Sequence, residues 1–251
     1  MSNNSSIYNK SIKNKLPYEL EHLDALIRMK TLKPYYEWTK SIIDKYLGSR
    51  ILDAGSGVGN FIDLVQEREF ILAVDLSSEN IKILEERFAS SLNITVRQYD
   101  LDYDLEQIKK NRIDTIVCLD VLEHVENDVE LLSNFRKVIE PNGRLIIKVP
   151  ALEWLYGSID ESSGHFRRYS RHKLISTTKE AGWTPCFVTY MNIFGLVPYL
   201  IKGRLLKRTS NFSKTFSNKQ LKILQLLMPT LQKIDKLLGP PVGQSLILVA
   251  K

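Results

Sequence analysis

Residues 50–60, RILDAGSGVGN, run from a short apolar stretch into three glycines spaced by single residues, and this junction restricts the fold more than any other part of the chain. The apolar run reads as a buried strand. Gly55 and Gly57 directly after it let the backbone turn tightly and approach a ligand with no side chain in the way. NFIDLVQER (60–68) follows as an amphipathic helix whose first N–H groups would face that ligand.

The alternation then repeats. FILAVDLS (70–77) reads as a strand and SENIKILEERFA (78–89) as a helix capped by Ser78, with Ile81, Leu84 and Phe88 on one face. ITVRQYD (94–100) and IDTIVCLD (113–120) are further strands. A helix over 129–140 stops at PNG, and RLIIKVP (144–150) is the fifth strand. Strands and helices alternating over short connections predict a mostly parallel sheet covered on both faces. After a polar loop come a helix (171–182) and strands at 185–193 and 244–251. These last two have no ordinary crossover between them and are expected to pair antiparallel at the sheet edge, with 195–243 as a helical insertion. Upstream, residues 18–47 carry apolar side chains at helical spacing, interrupted by Pro34.

Asp75 lies twenty residues beyond Gly55 at the end of the second strand, where a carboxylate accepts from ribose hydroxyls. Asp100 ends the third strand, placed for an adenine amino group, and Asp120 ends the fourth. Acids closing successive strands beside a glycine turn point to a nucleotide-type ligand at the carboxyl edge of the sheet. The spacing G-x-G-x-G with Asn60 departs from the dinucleotide fingerprint G-x-G-x-x-G, which disfavours an NAD-dependent oxidoreductase.

LDAGSGVGNFIDLV, VDLS, QYDLD and LDVLEHVEND together resemble the motifs of the class I S-adenosylmethionine-dependent methyltransferases, over roughly residues 47–190 and the last strand. That resemblance implies an α/β, Rossmann-like seven-stranded sheet with a terminal antiparallel hairpin. It divides the chain into a helical cap (1–46) and a methyltransferase domain (47–251) carrying the insertion at about 195–243. It also implies S-adenosylmethionine as cofactor, held by Asp53, Gly55, Ser56, Gly57, Asp75, Leu76, Asp100, Leu101, Leu119 and Asp120. KVPALEWLYGSIDESSGHFRRYS is similar to a bacterial subgroup with a GHxRRY loop after strand five. Its members are thought to act on small molecules or on glycan- and lipid-linked precursors. The expected reaction is methyl transfer to such an acceptor, on oxygen, with transfer to nitrogen or carbon as the alternative.

GHFRRYS (164–170) overhangs the edge where the methyl would sit, so His165, Arg167, Arg168 and Tyr169 are the acceptor-side candidates. An oxygen acceptor needs a base, and His165 supplies one, with His124 as the alternative. Arg167 and Arg168 either bind an anionic group on the acceptor or pair internally with Asp120, Glu123 or Asp160. Tyr169 fixes the loop rather than reacting. No metal is expected. The alternative is a divalent ion held by Asp120, Glu123 and His124, because D-x-x-E-H resembles the E-x-x-E-H of ubiquinone-pathway O-methyltransferases.

Charge is concentrated late in the chain. Between Ile201 and Leu238, nine Lys/Arg face a single acid, Asp235, so this segment carries +8 of a net +6 and leaves the rest at −2. Within it, KQLKILQLLMPTLQKIDKLLG (219–239) aligns Leu224, Leu227, Met228, Leu231, Ile234 and Leu238 near one stripe beside lysines. It reads as a lid over the site or a subunit contact, or as an interfacial helix meeting anionic lipid. A nucleic-acid methyltransferase fits the charge, but no nucleic-acid module is recognisable and LDVL replaces the N-P-P-Y/F-like tetrapeptide. A cofactor-binding partner without catalysis is disfavoured by the intact motif and the polar loop. MSNNSSIYNK has no signal-peptide core, and Cys118 and Cys186 make no disulfide framework. The expected setting is cytoplasmic, with peripheral contact at the inner membrane face through 201–238.

Overall fold

The computed structural model describes residues 23–205, 217–239 and 241–251. Seven strands form one sheet in the order β3-β2-β1-β4-β5-β7-β6. They are β1 (Arg50–Ala54), β2 (Phe70–Asp75), β3 (Ile94–Gln98), β4 (Ile113–Leu119), β5 (Ile139–Pro150), β6 (Pro185–Met191) and β7 (Ser245–Ala250). The first five run parallel, and β7 enters antiparallel between β5 and β6. The fold is therefore the Rossmann-like methyltransferase sheet with its terminal antiparallel pair.

Each central strand feeds two cores, because successive side chains leave a strand on opposite faces. Leu52, Leu72, Ile116, Ile147 and Leu248 pack on one side with Leu131, Leu132 and Phe135 of α4 (Asp128–Val138) and with Leu174 of α6 (Arg171–Glu180). Ile51, Ile71, Val117, Ile146 and Ile247 pack on the other with Trp38 and Ile43 of α1 (Lys33–Ile43) and with Leu84 and Phe88 of α2 (Ser78–Phe88). Burial on both faces explains why these strands read as continuous apolar runs.

Three details depart from the sequence reading. Residues 60–68 form no α-helix, only a 3-10 turn at Ile62–Leu64. The bonds from Leu64 N to Phe61 O and from Val65 N to Ile62 O close it at i→i+3, and Val65 leaves helical geometry at φ −130°. Ser77, not Ser78, caps α2 by accepting from Asn80 N at 3.4 Å. PNG does not precede β5 but lies inside it, as a bulge with Asn142 at φ 66°. There the register slips between the pairs Ile113↔Ile139 and Thr115↔Arg144.

Upstream, residues 23–29 are helical and lead through a 3-10 turn (Lys30–Leu32) into α1, with Pro34 in its first turn where a missing N–H costs nothing. The remainder of the expected N-terminal helix, 18–22, lies outside the described residues. Three short helices complete the set: α3 (Leu105–Lys109), α5 (Ser158–Ser162) and α7 (Leu196–Tyr199). The insertion contributes α8 (Asn218–Leu238), started by a capping box of Ser217 and Gln220. Lys207, Arg208 and Lys214 of the basic segment fall outside the described residues.

Candidate active site

The carboxyl ends of β1 to β5 open into a cavity of about 860 Å³. The 23–29 helix, α1, the GHFRRYS loop and α8 all contribute to its walls, with α8 packed against α1 through the bond from Gln232 Nε2 to Ser41 Oγ. Asp53, Gly55, Ser56, Gly57, Asp75, Leu76, Asp100, Leu101, Leu119 and Asp120 all lie on its wall. So do His124, His165 and Arg168.

The glycine turn is held from several sides. Gly55 and Ser56 donate their N–H groups to Val74 O, and Gly57 N donates to Asp75 Oδ2 at 2.8 Å. Gly55 (φ 77°) could not carry a Cβ, which would lie 2.4 Å from Val121 Cγ2. Opposite Gly57 stands Leu26 of the covering helix, so the room these glycines provide is used partly by the protein's own packing. Asn60 ties the same cover down, donating to Leu26 O at 3.0 Å. The phenol of Tyr36, which Asn60 also contacts, is pushed up to about 12 by burial.

Asp53 is the most exceptional acid of the wall. Its carboxyl is 4% exposed, and Oδ2 has no hydrogen-bond partner among the described residues. Burial, helped by the nearby charge of Asp75, pushes it up to about 7 although Ser56 pulls the other way. Asp75 is already well used. It accepts from Gly57 N, from Ser77 N at 2.9 Å and from Asn80 Nδ2 at 3.1 Å, leaving about one of a carboxylate's roughly four acceptor positions. Asp100 accepts from Asp102 N at 2.9 Å. Asp120, in the left-handed region at φ 55°, pairs with Lys148 of β5. Burial alone would lower the lysine's affinity for its proton, but Asp120 outweighs it and holds Lys148 charged.

An orphaned buried acceptor beside backbone that tolerates no side chain fits the ammonium and polar head of S-adenosylmethionine. The absent helix N-terminus removes one expected anchor. Direct backbone and carboxylate contacts must do that work instead.

The GHFRRYS segment doubles back on β5. Tyr169 bridges Ala151, its N–H donating to Pro150 O while Leu152 N donates to Tyr169 O. The two arginines point to different partners, and both are internal. Arg167 pairs with Asp128 at 3.1 Å and donates to Glu126 O. Arg168 is 3% exposed; its Nε donates to both oxygens of Asp160, its Nη1 donates to Ala151 O, and its guanidinium stacks 4.0 Å from the Tyr199 ring centre. Tyr169, fully buried, donates to Asp128 Oδ2 at 2.8 Å, and burial pushes its phenol far up. An internal carboxylate thus claims each of Arg167, Arg168 and Tyr169, the internal pairing expected as the alternative for the arginines, and of the three only Arg168 lines the cavity.

His165 is left facing the cavity. Its Nδ1 lies 3.0 Å from Asp160 Oδ1. Burial would raise the Asp160 carboxyl, but hydrogen bonds from His165 and Arg168 outweigh it and hold it below the usual range. An ionised carboxylate only accepts, so in the neutral ring Nδ1 carries the proton and Nε2 is the acceptor. The His124 ring meets that of His165 edge-on at 4.6 Å.

Glu123, His124 and His165 bring ligand-type atoms within 4.8 Å of one another, whereas Asp120, expected in this set, is drawn off to Lys148. Burial and the charge of Asp120 push the Glu123 carboxyl well up, and its Oε2 is unpartnered among the described residues. Both effects work against Glu123 serving the trio as an anionic ligand.

Sequence reasoning missed Lys148, Tyr35 and Tyr36 as wall residues. A lysine inside the apolar run RLIIKVP was a usable signal, since a buried strand carries a charge only with a partner.

Known proteins resemble this chain in sequence and in fold. The family model of a methyltransferase domain matches residues 31–186. A ubiquinone biosynthesis O-methyltransferase of Rickettsia canadensis is 34% identical over 99 residues, 39% of this chain and 41% of that protein. A phosphoethanolamine N-methyltransferase of Triticum aestivum is 28% identical over 117 residues, 45% of this chain and 23% of that one. The chain thus spans less than half the length of these curated relatives. Among solved structures, a SAM-dependent methyltransferase from Archaeoglobus fulgidus superposes with a TM-score of 0.55 at 20% identity, covering 86% of this chain and 94% of that one. A putative methyltransferase of Haloferax volcanii, solved with the activator Trm112, gives 0.59 at 11% identity over 90% and 92%. At these identities the structural likeness is one of fold.

Proposed function

This chain belongs to the methyltransferase-domain family, and on that premise we propose that it is an S-adenosylmethionine-dependent methyltransferase that methylates a hydroxyl of a small or lipid- or glycan-linked acceptor with His165 as general base. The observation that carries the reading is the pairing of His165 with ionised Asp160 at the cavity wall. The cofactor supplies an already activated methyl on a sulfonium.

What remains for the chain is to orient and to deprotonate. Asp53, the glycine turn and Asp75 hold the cofactor side. Alignment of the two reacting atoms at about 3–3.5 Å is the larger share of such catalysis. His165 Nε2 takes the hydroxyl proton, and Asp160 steadies the imidazolium that results. Arg168 acts through Asp160 as a positioning residue, by keeping that carboxylate charged and fixed. Apolar side chains of Phe194, Pro198, Leu224, Met228 and Leu231 line the same cavity and suit the apolar part of an acceptor. The proposed bacterial subgroup with the GHxRRY loop is consistent with this use of the loop.

The test is label transfer from methyl-tritiated cofactor to matched hydroxyl and amine acceptors with a common apolar tail. Hydroxyl acceptors are expected to be preferred. His165→Ala should lower turnover by about 100-fold or more while S-adenosylhomocysteine affinity is kept. An amine or carbon acceptor preferred to the hydroxyl, with turnover indifferent to His165, would replace this reading by N- or C-methylation in the same cavity.

A further inference from the structure

Helix α8 has two apolar faces, and the site uses only one. Leu224, Met228 and Leu231 look into the cavity, and Leu221 and Met228 are buried. A second face, about 120° round the helix from the first, presents Ile223, Leu226, Leu227, Ile234, Leu237 and Leu238 at helical spacing, all exposed; Leu226 is 80% and Leu237 86% exposed. A solvent-facing surface helix ordinarily carries polar side chains there. The sequence stripe drawn earlier through Leu224, Leu227, Met228 and Ile234 thus divides into an inner and an outer set.

Charge says what the outer face fits. Lys222, Lys233 and Lys236 are exposed along one edge of it, and Lys219 is exposed at its first turn. The helix's single acid, Asp235, is turned inward, 3% exposed, accepting from Asn192 N and Ile193 N. An outward face of leucine and isoleucine, with lysine at its border and no exposed acid, is complementary to a surface that is apolar within and anionic at its rim. That is the profile of a helix lying in a bilayer interface. No helix among the described residues is long and apolar enough to cross a membrane.

We propose that the outer face of α8 docks the protein on an anionic lipid bilayer. The helix then lies in the headgroup layer with its leucines among the acyl chains and its lysines on anionic headgroups. This docking goes beyond the acceptor chemistry proposed above and does not depend on it.

The experiment is flotation of the full chain with vesicles of phosphatidylcholine, with and without phosphatidylglycerol. Retention is expected only on the anionic vesicles, and it should fall with salt. Lys222→Gln and Lys233→Gln should each weaken it about fivefold. Leu226→Ser and Leu237→Ser should each weaken it about tenfold. None of these four side chains lines the cavity, so S-adenosylhomocysteine affinity should be unchanged in every variant, which also checks that each has folded. Equal retention on both vesicle types, no retention, or binding indifferent to these substitutions overturns the proposal. A dimer in solution that Leu226→Ser dissociates, without any lipid retention, would overturn it and give the face to a second copy. Loss of docking with methyl transfer intact leaves the hydroxyl-acceptor reading untouched; loss of transfer with docking intact leaves this one untouched.

Discussion

Replacing Asp53 by Asn should remove a pH dependence from cofactor affinity. The carboxyl is buried with one oxygen unpartnered, and its folded value of about 7 stands above the ordinary 3.8. That difference corresponds to about 4 kcal/mol for charging the empty site. At pH 6 the free site is about nine-tenths protonated; at pH 7.5 it is about three-quarters ionised. A bound ammonium supplies the missing partner and needs the ionised form, so affinity rises with pH. S-adenosylhomocysteine carries the same ammonium, still mostly charged at about pH 7.5. Its Kd by calorimetry should therefore tighten about eightfold between pH 6 and pH 7.5, with proton release at the lower pH. For the empty protein the sign is opposite. A carboxyl raised on folding stabilises the fold fully below 3.8, and that contribution is lost as pH rises through about 7. The thermal shift produced by the ligand should accordingly grow over the same interval. Asp53→Asn should bind more weakly at pH 7.5 and show a flat profile. A flat wild-type profile, or an Asn variant that keeps the slope, would refute the reasoning.

Asp160→Asn strands the buried guanidinium of Arg168 without its counter-charge, and should cost about 3–5 kcal/mol in urea unfolding. Gly55→Ala places a Cβ against Val121 in a left-handed backbone, so S-adenosylhomocysteine binding should fall at least about tenfold, read by calorimetry alongside a melting curve. Chelation with EDTA should leave label transfer unchanged, because burial and the charge of Asp120 disfavour the Glu123 anion that a cation would need; activity restored by a divalent ion after chelation would assign Glu123, His124 and His165 to a metal.

The sheet could be read from the chain because its signals are local. Apolar runs such as FILAVD and SLILVA, glycines at 55 and 57 and acids at strand ends need no knowledge of distant residues. The edge placement of β6 and β7 followed from the missing crossover between them. What failed depended on tertiary competition. The periodicity of 60–68 is genuine, since Ile62 and Val65 are buried, but burial does not require a full helix when i→i+3 turns place the same side chains. Adjacent arginines looked alike in GHFRRYS. Arg168 turns inward to Asp160 and Arg167 reaches Asp128 on α4, a division set by which carboxylates the fold brings near each. Asp160, five residues from His165, was one of three acids offered as partners of the arginines, and nothing local singled it out. Its importance comes from three donors converging on one buried group.

The order β5-β7-β6 also has a consequence in time. β6 pairs with no strand but β7, and β5 has β7 along its outer side. On a growing chain, β6 emerges about 50 residues before its partner, an interval of several seconds at ~5–20 residues/s. Until then two strand edges stand open, with Ile146, Ile147 and Val149 among the residues awaiting cover. Closing the sheet is a late, long-range event of the kind that slows folding and exposes chains to aggregation. Ser245 and Gln244, at the start of β7, belong to the cavity wall, so the site is completed by that same late insertion.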